Sequence, residues 1–305
     1  MNRFKNILFV ADSSSKTCPA LERAVTLAAT NDARLTVVDV IDEVDDADNI
    51  QERFGVSLTK LLLDHRLESL SKLVAPFQSS EHLIYTKVLM GKAFAEIVQT
   101  VIQNGYDLVI KAMRPPATLN EHLLGSTDLH LLRKCPCPVW IDRPGKDIPY
   151  KTILAAVDPM DDKDVAIRIM QLATSLAERE QANVEILHSW RLQGESTLRG
   201  GYARLSNAEV DLLVSNQEKT QVKKLNALLA DFNLSTDDEN VHFVKGHATQ
   251  NILDFGEGAD LIVMRTIGRA GIPGFLIGNT AEDVMLRVSA SILAVKPDGF
   301  ISPLA

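Results

Sequence analysis

The chain of 305 residues is written twice, and that repetition constrains its fold more than any other feature. "NILFVAD" at 6–12 returns as "TILAAVD" at 152–158, and "ARLTVVDVID" at 33–42 as "ANVEILHSW" at 182–190. "VLMGKAFAEIV" (88–98) pairs with "FVKGHATQNIL" (243–253), and "YDLVIKAMR" (106–114) with "ADLIVMRTIG" (259–268). "GSTDLHLLR" (125–133) matches "GNTAEDVML" (278–286), and "PVWIDRP" (138–144) matches "SILAVKP" (291–297). All six matches keep their order, at offsets of 146 to 155 residues. Two homologous domains therefore meet in the Pro- and Gly-bearing "DRPGKDIPYK", which places them at 1–145 and 146–305.

Each half alternates strand and helix. Short runs rich in Val and Ile at 6–11, 35–41, 83–89, 107–112 and 138–142 have the length of buried strands. Between them, Leu58, Leu62, Leu70, Leu73 and Val74 repeat near 3.6 residues, as do Val222, Leu225, Leu228, Leu229 and Phe232 in the second half. The fold class expected is α/β, two tandem, doubly wound, five-stranded parallel sheets with right-handed crossovers. Ligands of such sheets bind outside the strand C-termini, where the strand order reverses. Asp12, Asp158 and the loops at 114–125 and 268–278 are expected to open there.

A formal charge of −8 argues against a nucleic-acid surface, which needs a basic stripe. No run reaches the roughly 18 apolar residues of a membrane span. The opening apolar run stops at Asp12 and reads as a strand rather than a secretory signal. Three cysteines do not build a disulfide framework, so a cytoplasmic location is expected. "CPC" at 135–137 offers two thiols without a matching pair, and reads as a proline-bounded lead into the last strand.

"RTIGRAGIPGFLIGNTAEDV" (265–284) has glycines spaced as in a phosphate-cradling loop that runs into a helix. Asn279 is the expected N-cap, with Glu282 three residues on. The free amides there suit an anion, although a strand-to-helix connection uses the same residues for backbone reasons alone. No P-loop lysine or nucleophile elbow is present. His242 and His247 share no helical face, and His188 ends a strand near the crevice. No acid, base and nucleophile come together, so no reaction is specified.

The doubled αβ unit, the Asp ending the first strand of each half, and "GNTAEDV" before a last strand ending in Pro resemble a tandem universal stress protein. The resemblance spans essentially the whole chain and implies an adenine nucleotide alpha hydrolase-like fold. Nucleotide-binding members of that family carry G-x2-G-x9-G-[ST]. Gly268 and Gly278 match its second and third glycines, but the first falls on Arg265 and the Ser/Thr on Asn279, with Thr280 next. In the first half Lys111 and Arg114 hold the leading glycine positions, and ten residues precede Gly125-Ser126. By analogy Asp158 and Ser189 face a base, with Arg265, Gly268, Gly278, Asn279 and Thr280 toward ribose and phosphates. Asp12, Val40, Gly125 and Ser126 are the first-half counterparts, expected not to bind.

The resemblance implies a non-enzymatic cytoplasmic factor for starvation, oxidative or DNA-damage stress, acting through an unidentified small ligand or a partner. Two alternatives stand beside it. One is an ATP-binding switch with slow hydrolysis, using ATP and Mg in the second domain. The other is a carrier of a partly apolar ligand, with 191–205 as a lid over the crevice or a plain connection. No metal site, direct nucleic-acid contact or membrane insertion is expected. The family's dimers pair through last strands, which here lie in one chain; this implies an intramolecular pseudo-two-fold dimer and leaves room for a further homodimer.

Overall fold

The computed structural model describes residues 4–11, 19–45, 47–80, 82–113, 125–145, 149–160, 163–200, 205–266, 278–297 and 299–305. The first repeat runs β1 (Asn6–Val10), α1 (Pro19–Asn31), β2 (Arg34–Ile41), α2 (Ala47–Phe54), α3 (Leu58–Val74), β3 (Ile84–Met90), α4 (Ala93–Asn104), β4 (Leu108–Ala112), α5 (Ser126–Lys134) and β5 (Val139–Asp142). The second runs β6 (Thr152–Ala156), α6 (Lys163–Glu180), β7 (Asn183–Trp190), α7 (Glu195–Arg199), α8 (Asn207–Leu229), β8 (Val241–Lys245), α9 (Ala248–Gly256), β9 (Leu261–Arg265), α10 (Asn279–Arg287) and β10 (Ser291–Val295). The expected strands and the helix at 58–74 are present. No described helix is long and apolar enough to cross a membrane.

One compact unit holds β1–β5 together with β10; the other holds β6–β9. In the first, the order is β3-β2-β1-β4-β5-β10, parallel from β3 to β5. β10 then runs antiparallel to β5, with Leu293 opposite Trp140, as the pairing of last strands implied. In the second, the order is β9-β6-β7-β8, all parallel. The chain order reverses beside β1 and β6, so β1/β4 and β6/β9 are the switch points at which open sheets of this kind form a crevice.

Strand alternation fixes the two helix layers. In β7, His188 reaches Gln221 of α8 while its neighbour Ser189 reaches Asn251 of α9. Successive side chains point to opposite faces, so α8 and α9 cover opposite faces of the second sheet. Leu225, Leu228 and Leu229 of α8 are fully buried, and its start is closed by a Ser206/Glu209 capping box. The repeat is also kept at the lower edge. Asp107 accepts the backbone N–H groups of Lys5 and Asn6, as Asp260 accepts those of Lys151 and Thr152.

Candidate functional site

The second crevice is built from three strand ends and one helix start. Ala156 pairs with Leu187 and with Met264, and two further residues along these ladders bring Asp158 level with Ser189 and Thr266. The Gly278 N–H donates to the Thr266 carbonyl at 2.9 Å, holding the start of α10 against the end of β9. Arg265, half-buried, precedes that anchor. The structure thus gathers Asp158, Ser189, Arg265, Gly278 and Thr280 at one end of the sheet. Asp12 and Gly268 lie outside the described residues, as does the Asn279 side chain.

One assignment changes. The N-cap of α10 is Gly278, not Asn279, with extended dihedrals of φ −63° and ψ 141°. Its bond to Thr266 keeps Gly278 extended, so helical geometry begins at Asn279. Asp158 is exposed and its Oδ1 accepts the Met160 N–H at 3.0 Å, a local turn. Ser189 Oγ accepts from Asn251 Nδ2 at 3.1 Å on the α9 face. His188 is buried: Nδ1 meets the Val157 carbonyl at 3.0 Å and Nε2 meets the Gln221 amide at 2.9 Å. It ties the end of β6, β7 and α8 together.

The first crevice holds its own anion, a feature the motif comparison passed over. Asp128, the third residue of α5, is 2% exposed and its Oδ1 lies 2.7 Å from Lys111 Nζ. Lys111 also donates to the Ala112 carbonyl at 3.2 Å. A Cβ placed on Gly125 would lie 3.4 Å from Asp128 Oδ2, so this carboxylate curls back over the helix start. The positive end of a helix favours negative charge, and here an internal carboxylate supplies it. Burial lowers the Arg143 pKa, while the charge of Asp128 pulls it back up. The equivalent helix start, Gly278-Asn279-Thr280, is followed by Ala281. The signal was legible as the acidic residue in "GSTDL" against "GNTAE". Val40 lies near the end of β2, half-buried, and Ser126 opens α5 behind its N-cap Gly125.

The 191–200 connection contains α7 rather than an open loop. Arg199 bridges Glu195 and Asp211, and Lys245 bridges Glu195. These bonds hold the Glu195 carboxyl below its usual range, with Lys245 the larger cause. The segment borders a cavity of about 420 Å³ against the β8–α9 turn, lined by Arg191, Leu192, Glu195, Arg199, Lys245 and His247 among others. In that turn Gly246 takes φ 156°, and a Cβ there would press on Asn251 at 3.1 Å; Gly91 and Glu96 repeat the arrangement in the first sheet. Among the described residues no group of three metal-ligating side chains occurs.

Comparison with known proteins agrees with this duplicated architecture. The profile described as the Universal stress protein family matches residues 3–143 and again 149–296. The chain is 29% identical over 320 residues to Universal stress protein E of Escherichia coli K12, spanning 100% of this chain and 98% of that one. It is 24% identical over 311 residues to the Universal stress protein E homolog of Haemophilus influenzae, at 97% and 98% coverage. Among solved structures, a putative universal stress protein from Pseudomonas aeruginosa UCBPP-PA14 superposes with a TM-score of 0.72 at 22% identity, covering 99% of this chain and 97% of that one. A universal stress protein from Archaeoglobus fulgidus gives 0.62 at 16% identity, covering 95% and 98%. With each repeat matched in turn, the chain belongs to the universal stress protein family, in its tandem form.

Proposed function

We propose that the protein is a non-enzymatic stress-response factor that acts by binding, and that its second unit takes the phosphate end of a nucleotide-class ligand, ATP with Mg among them, at the start of α10. One observation carries this reading: Asp128 and Lys111 neutralise the start of α5, whereas Ala281 stands at the matching place in α10. Backbone amides at a helix start suit an anion, and Gly278 brings no side chain to that start. On this reading Asp158, Ser189 and Thr280 face the rest of the ligand.

Calorimetric titration of Mg-ATP into protein freed of co-purified ligand tests the reading. Micromolar affinity, about −8 kcal/mol, is expected. Absence of heat from the wild type and from Arg265→Gly alike overturns it. In that pair, weaker binding by the variant makes Arg265 a phosphate partner, and tighter binding makes it an obstruction.

The cavity beside α7 favours a second reading, a carrier of a larger ligand. Charged side chains dominate its named lining and Leu192 adds the apolar contact, so the cargo would set a polar head there. Native mass spectrometry of the intact protein without any co-purified mass counts against it.

A further inference from the structure

The "CPC" segment forms a small buried site of its own. Cys135 caps the end of α5, and Cys137 stands just before β5. Their Sγ atoms lie 3.5 Å apart and both residues are buried. Extending the β5/β10 ladder by two residues sets Cys137 opposite Lys296, which is 2% exposed. The Lys296 ammonium donates to the Leu132 carbonyl in the last turn of α5 and lies 4.8 Å from the Phe300 ring centre. Two thiols and one buried cation therefore share a pocket at the negative end of a helix. A metal would need more ligands than this pocket supplies.

We propose that Cys135 and Cys137 are a hydroperoxide-reactive dithiol that closes to an intrachain disulfide. Burial raises the Cys135 thiol, but the hydrogen bonds from Cys137 and the charge of Lys296 outweigh it and bring the thiol below its usual value. The hydrogen bond to Cys135, followed by burial, pushes Cys137 well up. With the two sulfurs in contact at 3.5 Å, whichever attacks has the other beside it to resolve the intermediate, and these directions favour Cys135 as the nucleophile and Cys137 as the resolving thiol. The Cys135 thiolate attacks one peroxide oxygen; the O–O bond breaks, and the departing oxygen leaves as water or alcohol after taking a proton. The Cys137 sulfur then displaces hydroxide from the sulfenic acid, and its own proton completes a second water. Two thiols and one hydroperoxide give one disulfide, one alcohol or water, and one water. The sulfurs must close from 3.5 Å to about 2.0 Å, a matter of side-chain rotation. Burial restricts the oxidant to a small neutral hydroperoxide and shuts out bulky disulfides.

The test treats the reduced, folded full-length chain with hydrogen peroxide, blocks remaining thiols in denaturant, and maps the tryptic peptide that begins at Cys135. The expected product is that peptide two hydrogens lighter than the dithiol and refractory to alkylation. Lys296→Met should slow its formation at least tenfold. In Cys137→Ser, Cys135 should stall as a sulfenic acid captured by dimedone. A dithiol that survives peroxide in the folded chain and oxidises only in urea overturns the proposal. So does conversion of one cysteine to sulfinic acid without a disulfide. If Lys296→Met fails to fold, the disulfide map and the dimedone capture still decide.

Discussion

Lys111 Nζ and Asp128 Oδ1 meet at 2.7 Å across the start of α5, with side chains only 15% and 3% exposed. Removing one partner of a buried pair strands the other charge. Asp128→Ala is therefore expected to destabilise the protein by about 3 kcal/mol. Lys111→Met with Asp128→Leu should recover most of that loss, because neither charge then remains. Urea unfolding of the two variants checks it; equal losses would mean that the contact is packing rather than charge.

The same logic runs in reverse in α10. Ala281→Asp places a carboxylate at the third helical residue, as in α5, and should compete with a bound phosphate there. A tenfold or greater loss of Mg-ATP affinity is expected, about 1.4 kcal/mol. Ala281→Asn is the uncharged control and should retain binding. Matching losses in the two variants would trace the effect to crowding at a buried position.

The strands, the duplicated order and the helix at 58–74 were legible because buried runs and the 3.6-residue period report local geometry directly. The departure of the first half from the glycine motif was legible through Lys111 in place of a glycine and through the acidic residue in "GSTDL". Its physical cause was not, because Asp128 faces Lys111 only once α5 is set against β4. The role of His188 was hidden for a similar reason. Its partner Gln221 lies in α8, 33 residues along the chain, and the apolar period there points to Val222 instead. The N-cap moved by one residue because the Gly278–Thr266 bond is a tertiary contact.

His188 sits between a carbonyl that always accepts and an amide that can turn to donate. A buried imidazole deprived of its amide loses one bond and keeps the desolvation. Gln221→Leu should therefore cost about 1–3 kcal/mol, while leaving ligand affinity unchanged. Thermal unfolding beside Mg-ATP titration separates the two; a loss of affinity without loss of stability would return His188 to the binding site.

Lys296 gives a pH signature of the same sign as the usual acid loss, but displaced to alkaline pH. Burial is the larger influence and brings its pKa from 10.5 to about 8, with the two thiols pulling upward against it. Between those values the unfolded chain holds more protons at this residue than the folded chain does. Unfolding free energy attributable to Lys296 therefore rises with pH across that window, and the full cost of the buried cation, about 3 kcal/mol, is present below it. Lys296→Met removes the cost, so the variant should be the more stable form at pH 7, and its advantage should shrink steadily toward pH 10. The pocket also faces Cys135, Cys137 and Asp107, and the raised Cys137 thiol works in the opposite direction above about pH 9. Repeating the series in Cys137→Ser removes that contribution. A Lys296→Met advantage that stays flat from pH 7 to 10 in both backgrounds would mean that the ammonium keeps its charge throughout, held by the Leu132 carbonyl and the Phe300 ring.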